Sequence, residues 1–130
     1  MRLLLDTHIF LWYISGDKRI SKSIKHQIQN AENDVFLSVI SIWECIVKYQ
    51  LGKLTLPDSP EKYLSYQRKR HQIANLDLDE SSIMHLPHLP SIHRDPFDRI
   101  LVCQAIEHQL TLITMDQQLK KYPIRILTHL

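Results

Sequence analysis

Three consecutive leucines, Leu3-Leu4-Leu5, stand near the start of the chain and are closed by a carboxylate, Asp6. A strand with one wet face alternates apolar and polar residues; an unbroken apolar run suits a strand buried on both faces, as in the centre of a parallel sheet. The same kind of run recurs at residues 34–38 and 111–114, with a weaker strand expected over 73–78 and an edge strand over 124–127. Between these runs the apolar residues take helical spacing. Helices are expected over residues 7–14, stopped by Ser15-Gly16, and over 21–33, where Ile24 and Ile28 lie four apart among polar residues. Further helices are expected over 41–52, over 59–70 behind Ser59-Pro60, from Asp79 to near Pro87, from Asp95-Pro96 onward, and from Asp116 to about Lys121, with a loop over 88–94. Strand then helix, repeated, is the βαβ rhythm of a parallel sheet. The expectation is one α/β domain over residues 1–130 with helices on both faces of a mainly parallel sheet of four to five strands.

A chain of 130 residues supports one sizeable core, and 44% hydrophobic with 23% charged residues argues against disorder. Only two glycines occur, which excludes Gly-rich phosphate loops and with them most nucleotide-binding readings. A formal charge of +2 does not by itself demand a nucleic-acid partner, and the basic clusters Lys18-Arg19, Arg68-Lys69-Arg70-His71 and Lys120-Lys121 read as solvated faces. Cys45 and Cys103 both fall in apolar helical patterns, where free thiols act as small hydrophobes, so a reducing cytoplasm is the expected location. No run approaches membrane-spanning length and no leader pattern opens the chain, so no membrane partner is expected.

Right-handed βαβ crossovers bring helix N-termini and strand C-termini to one edge of a parallel sheet, where ligands bind. Asp6 ends the first strand, Glu44 falls in the first turn of the helix after the second, Asp98 in the first turn of the helix before the fourth, and Asp116 two residues beyond that strand. Each has a plain structural reading. Ser41 and Glu44 fit a capping box, Asp95 an N-cap with Pro96 at the first helical position, Asp98 a first-turn acid, and Asp116 another N-cap. Asp6 is harder to explain that way, because a strand ending in an apolar core needs no acid. Gathered carboxylates repel one another unless a cation compensates, and hard oxygen donors without thiolates point to Mg²⁺ or Mn²⁺. One or two such ions suit phosphodiester hydrolysis.

The stretches Leu4-Leu5-Asp6-Thr7-His8, Ser38-Val39-Ile40-Ser41-Ile42-Trp43-Glu44, His93-Arg94-Asp95-Pro96-Phe97-Asp98-Arg99 with Ala105, and Leu112-Ile113-Thr114-Met115-Asp116 resemble a PIN domain, more narrowly the VapC toxins of bacterial type II toxin–antitoxin pairs. The resemblance runs in order along nearly the whole chain, and Asp-Pro-Phe-Asp-Arg is its most specific part. It implies a metal-dependent endoribonuclease acting on structured RNA, silenced by a VapB-like antitoxin and assembled as a homodimer. Its acidic site falls on Asp6, Glu44, Asp98 and Asp116, with Asp6 and Asp98 the direct ligands of Mg²⁺ or Mn²⁺ and Thr114 orienting a water or carboxylate. Asp95 is expected to be an N-cap rather than a ligand, and one of Arg94 and Arg99 to contact RNA phosphate while the other packs or pairs with a carboxylate. His8 and His93 fit contact with substrate or metal and local hydrogen bonding equally well, and His85 and His88 are read as incidental surface histidines. Trp12, Tyr13 and Trp43, each in an apolar helical pattern, are expected in the core or an interface rather than as base-stacking platforms, with the helix over 7–14 and its successor lining a groove for the antitoxin. The rivals are a phosphohydrolase with an aspartyl nucleophile and a non-catalytic RNA- or protein-binding module whose acids only cap helices.

Overall fold

The computed structural model describes residues 1–92 and 95–128. Its strands are β1 (Arg2–Leu5), β2 (Asp34–Ser38), β3 (Ala74–Leu76), β4 (Thr111–Ile113) and β5 (Ile126–Leu127). Its helices are α1 (Thr7–Ser15), α2 (Lys22–Gln29), α3 (Val39–Gln50), α4 (Pro60–Arg70), α5 (Glu80–Ile83) and α6 (Pro96–His108), joined by 3-10 turns at Leu86–His88 and Gln117–Lys121. All five strands are parallel, in the order β3-β2-β1-β4-β5.

The leucine run takes the central position, and Leu3, Leu4 and Leu5 are all fully buried. Successive strand residues point to opposite faces, so the run feeds two cores. Leu3 and Leu5 join Ile9, Phe10, Ile24, Cys45 and Leu64 beneath α1 to α4, while Leu4 joins Leu101, Val102, Cys103 and Leu119 on the face covered by α6. The result is three layers, helices on either side of the sheet. The chain builds outward from β1 to β2 and β3, then returns to the other side of β1 for β4 and β5. Such a reversal opens a crevice at the carboxyl ends of the two strands concerned. Asp6 lies there, its backbone N–H bonded to the carbonyl of Ile113 at the end of β4, 3.0 Å away.

Several boundaries differ from those the sequence suggests. Helix α3 starts at Val39, not Ser41, because Ser38 at the end of β2 turns its own hydroxyl onto the Ile40 N–H, 3.0 Å away. Glu44 is therefore in the second turn, and the expected capping box with Ser41 does not form. Helix α2 ends at Gln29 because Asn30 leaves helical geometry (φ −68°, ψ 117°). The third and fifth strands shrink to three and two residues, as far as their neighbours offer pairing. Part of the expected loop over 88–94 is ordered by the 3-10 turn ending at His88, while His93 and Arg94 lie outside the described residues. Among the described residues no helix is long and apolar enough to cross a membrane.

Candidate active site

Asp6 occupies the junction of β1 and α1, and its extended backbone (φ −74°, ψ 168°) makes it the N-cap of α1. Oδ1 accepts the Ile9 N–H at 2.8 Å and Oδ2 accepts the Thr114 hydroxyl at 2.5 Å. The capping role is one the sequence reading did not assign to Asp6. It does not exhaust the carboxylate, since both partners are neutral groups and the residue is only 7% exposed. Burial pushes the Asp6 carboxyl above its usual value, against the opposing pull of the Thr114 hydroxyl, the Ile9 N–H and the charge of His8, while the charge of Glu44 adds to the rise.

Thr114 follows β4 and is fully buried. Its hydroxyl donates to Asp6 and accepts the Asp116 N–H at 3.0 Å, so one side chain ties two acids on separate elements together. Asp116 then caps the 3-10 turn at Gln117–Lys121 through the Gln118 N–H, 2.9 Å away.

Glu44 reaches the same edge from α3 and is 3% exposed. Oε1 accepts the Thr7 hydroxyl at 2.6 Å, and Thr7 Oγ1 also lies 2.9 Å from the Ser41 hydroxyl. Oε2 pairs with Lys48 Nζ at 2.7 Å, one helical turn along. Burial alone lowers the Lys48 ammonium, but the Glu44 hydrogen bond and charge and the charge of Asp95 outweigh it and leave it raised. Thr7, Ser41 and Lys48 are site residues that sequence reasoning missed. The Glu44–Lys48 spacing of four was a signal for the pair; nothing in the order of residues announced the Thr7 contact.

Helix α6 arrives from the other side of the sheet with its N-terminus at this edge. Asp95 is its N-cap, accepting the Phe97 N–H at 2.9 Å, as expected, and its charge is felt by Lys48. Asp98 sits half-buried in the first turn, where the helix dipole favours a carboxylate. Phe97 meets Trp43 of α3 edge-on, ring centroids 5.1 Å apart, one of several contacts between the two acid-bearing helices. Arg99 packs: its Nη1 donates to the Pro90 carbonyl at 3.0 Å and reaches the Tyr122 hydroxyl at 3.4 Å. Of the two places expected for Trp43, core or interface, its 56% exposure rules out the core. His85 pairs with Glu107 near the far end of α6, 2.9 Å away, rather than with His88.

The structure thus joins Asp6 to Asp116 through Thr114, and places Glu44 and Asp98 at the same edge on α3 and α6. Among the described residues no three His, Cys, Asp or Glu side chains converge closely enough to hold a metal ion as they stand. The donor chemistry nevertheless fits a hard divalent cation, since every acid at the edge offers carboxylate oxygen and the Asp6 carboxylate is buried against neutral donors. Beside the edge lies a groove of about 620 Å³ lined by Thr7, His8, Trp12, Lys48, Leu54 and Tyr63, among others. Helix α1 is joined there by α3 and residues 53–57, rather than by α2 as expected, because the chain after Gly52 folds across α1.

The PIN domain family model matches residues 3–124. The chain belongs to the PIN domain family. Over 121 residues it is 26% identical to Ribonuclease VapC22 of Mycobacterium tuberculosis, covering 92% of this chain and 91% of that protein. Several solved structures share its fold. The crystal structure of VapBC2 from Rickettsia felis, bound to a DNA fragment from their promoter, superposes with a TM-score of 0.75 at 17% identity, covering 99% of each chain. DNA-bound VapBC from Salmonella typhimurium gives 0.70 at 20% identity, covering 98% of each. The parallel sheet and the family match agree on this PIN domain.

Proposed function

We propose that this PIN domain is the toxin of a type II toxin–antitoxin pair, an endoribonuclease that hydrolyses RNA phosphodiester bonds with Mg²⁺ or Mn²⁺ and is held silent by a VapB-like antitoxin. The observation that carries the reading is the buried Asp6 carboxylate, joined through Thr114 to Asp116 at the point where the strand order reverses. The name of the Mycobacterium tuberculosis relative supports ribonuclease activity, and the VapBC complexes among the similar folds support an antitoxin partner.

In this reading Asp6 and Asp98 hold the cation directly, with Glu44 and Asp116 completing the anionic edge. When bound, the ion supplies a water of lowered pKa and neutralises charge on the phosphodiester. The chain's own residues set the stage. Thr114 aims the Asp6 carboxylate, Thr7 and Lys48 hold Glu44 in one rotamer, and Asp95 starts α6 so that Asp98 stands in its first turn. The substrate is a structured RNA such as tRNA or rRNA, the active form is a homodimer acting in the cytoplasm, and the antitoxin occupies the groove beside Lys48.

Incubation of total cellular RNA with partner-free protein, with Mg²⁺ or Mn²⁺ and with chelator, tests the reading. Discrete fragments that need metal and disappear in Asp98→Ala are expected. Metal-independent cleavage, or cleavage by Asp98→Ala at the wild-type rate, refutes the site; no cleavage by a folded, partner-free protein refutes the function.

A further inference from the structure

Trp43 immediately precedes Glu44, and Phe97 immediately precedes Asp98. The two rings meet edge-to-face at 5.1 Å with planes at 75°, so two of the four acids, Glu44 and Asp98, each follow an aromatic in sequence and the two aromatics touch. Phe97 is half-buried against the core beneath α6, but Trp43 leaves 56% of its surface in solvent. A contact serving only to lock α3 onto α6 gains most by burying the indole, since a large apolar ring is costly to leave wet. The arrangement instead packs the indole against Phe97, one residue before Asp98 at the start of α6, and keeps much of it in solvent.

We infer that Trp43 is a substrate-positioning residue: its exposed indole stacks on an unpaired base of the RNA next to the scissile phosphate. This rests on the ribonuclease reading above. Stacking suits the chemistry for two reasons. Every base has a π-face, so one rigid aromatic accepts any nucleotide, and enzymes that act on RNA commonly engage bases splayed from single-stranded regions. An aromatic also adds affinity without charge, at an edge whose carboxylates repel phosphate. Lys120 and Lys121, exposed in the turn that Asp116 caps, supply cations for the backbone on the far side of the same edge.

The test uses short mixed-sequence single-stranded RNA and the full chain. In an Asp98→Asn, Trp12→Phe protein, which keeps Trp43 as its sole indole, RNA titration should quench the fluorescence. Against cleavable RNA, Trp43→Ala should raise KM roughly tenfold or more, the scale of one base–aromatic stack, with kcat little changed. Trp43→Phe should restore most of the affinity and Trp43→Leu should not, which separates stacking from apolar bulk. An unchanged KM in Trp43→Ala overturns the inference. So does a Trp43→Ala protein that sediments as a smaller species than wild type while its RNA affinity is unchanged, since the indole then belongs to contact with a second copy. Quenching by RNA in a wild-type protein that cleaves nothing overturns the nuclease reading and leaves the stacking standing.

Discussion

Replacing Thr114 by valine keeps the shape of the side chain and removes one hydroxyl from a fully buried position. That hydroxyl makes two bonds, one donated to Asp6 and one accepted from the Asp116 N–H. A bond to a charged acceptor contributes about 1.5–3 kcal/mol and a neutral one about 1 kcal/mol, so Thr114→Val should cost roughly 3 kcal/mol near neutral pH. For a chain of this length that is a fall in Tm on the order of 10 °C. The cost should depend on pH. Burial holds the Asp6 carboxyl above its ordinary value, so the folded protein keeps a proton that the unfolded chain gives up first. Wild-type stability from this group therefore falls as pH rises from the unfolded pKa through the raised folded one, and levels off above it. The Thr114 hydroxyl opposes the rise; without it the folded pKa climbs further and the loss runs over a longer span of pH. The difference between the two proteins should thus be smaller in acid, where Asp6 is protonated in both and only neutral bonds are lost, and larger once Asp6 is ionised. Urea denaturation at an acidic and a neutral pH reads this directly. Thr114→Ser keeps the hydroxyl and should lose only about 1 kcal/mol, for its methyl group, at either pH. A cost for Thr114→Val below about 1 kcal/mol at neutral pH, or one equal at both pH values, refutes the coupling of Asp6 to Thr114.

Lys48→Met strands the Glu44 carboxylate, whose side chain is only 4% exposed, without its partner. Because Lys48 is itself 37% exposed, the cost expected for a buried pair is discounted to about 2 kcal/mol. Adding Glu44→Gln should recover part of it in a double-mutant cycle, and a purely additive cycle speaks against the pair. Burial, with the charge of Glu44, pushes the Cys45 thiol up to about 12, and burial also raises Cys103. Native protein at mildly alkaline pH should therefore resist a thiol-titrating disulfide reagent until denaturant is added; rapid labelling of either cysteine in the native state contradicts the packing described.

The apolar run at Leu3–Leu5 and its echoes told how many strands to expect and that they lie inside a parallel sheet, because burial on both faces leaves a one-dimensional mark. Parallel topology then carried Asp6, Glu44, Asp98 and Asp116 to one edge without any knowledge of contacts, since crossovers have one hand. Asp95 could be named as an N-cap for a similarly local reason: its partner is two residues away. Contacts between distant segments left no such mark. Ser38 and Ser41 are equally good caps on paper, and only the point where β2 runs out of neighbours to pair with starts α3 at Val39, turning Glu44 from a capping residue into the partner of Thr7 and Lys48. The apolar pattern around Trp43 read as core or interface, and the face of α3 that it occupies is left partly uncovered, since periodicity records which residues share a face but not what covers it. The sequence by itself thus determined the strands, the layering and the placing of the acids along one sheet edge, each resting on local pattern or chirality. Which hydroxyl holds which carboxylate, and which aromatic stays in solvent, were decided only when β1, α3, α6 and β4 packed together, because those facts depend on distances between segments that the order of residues does not encode.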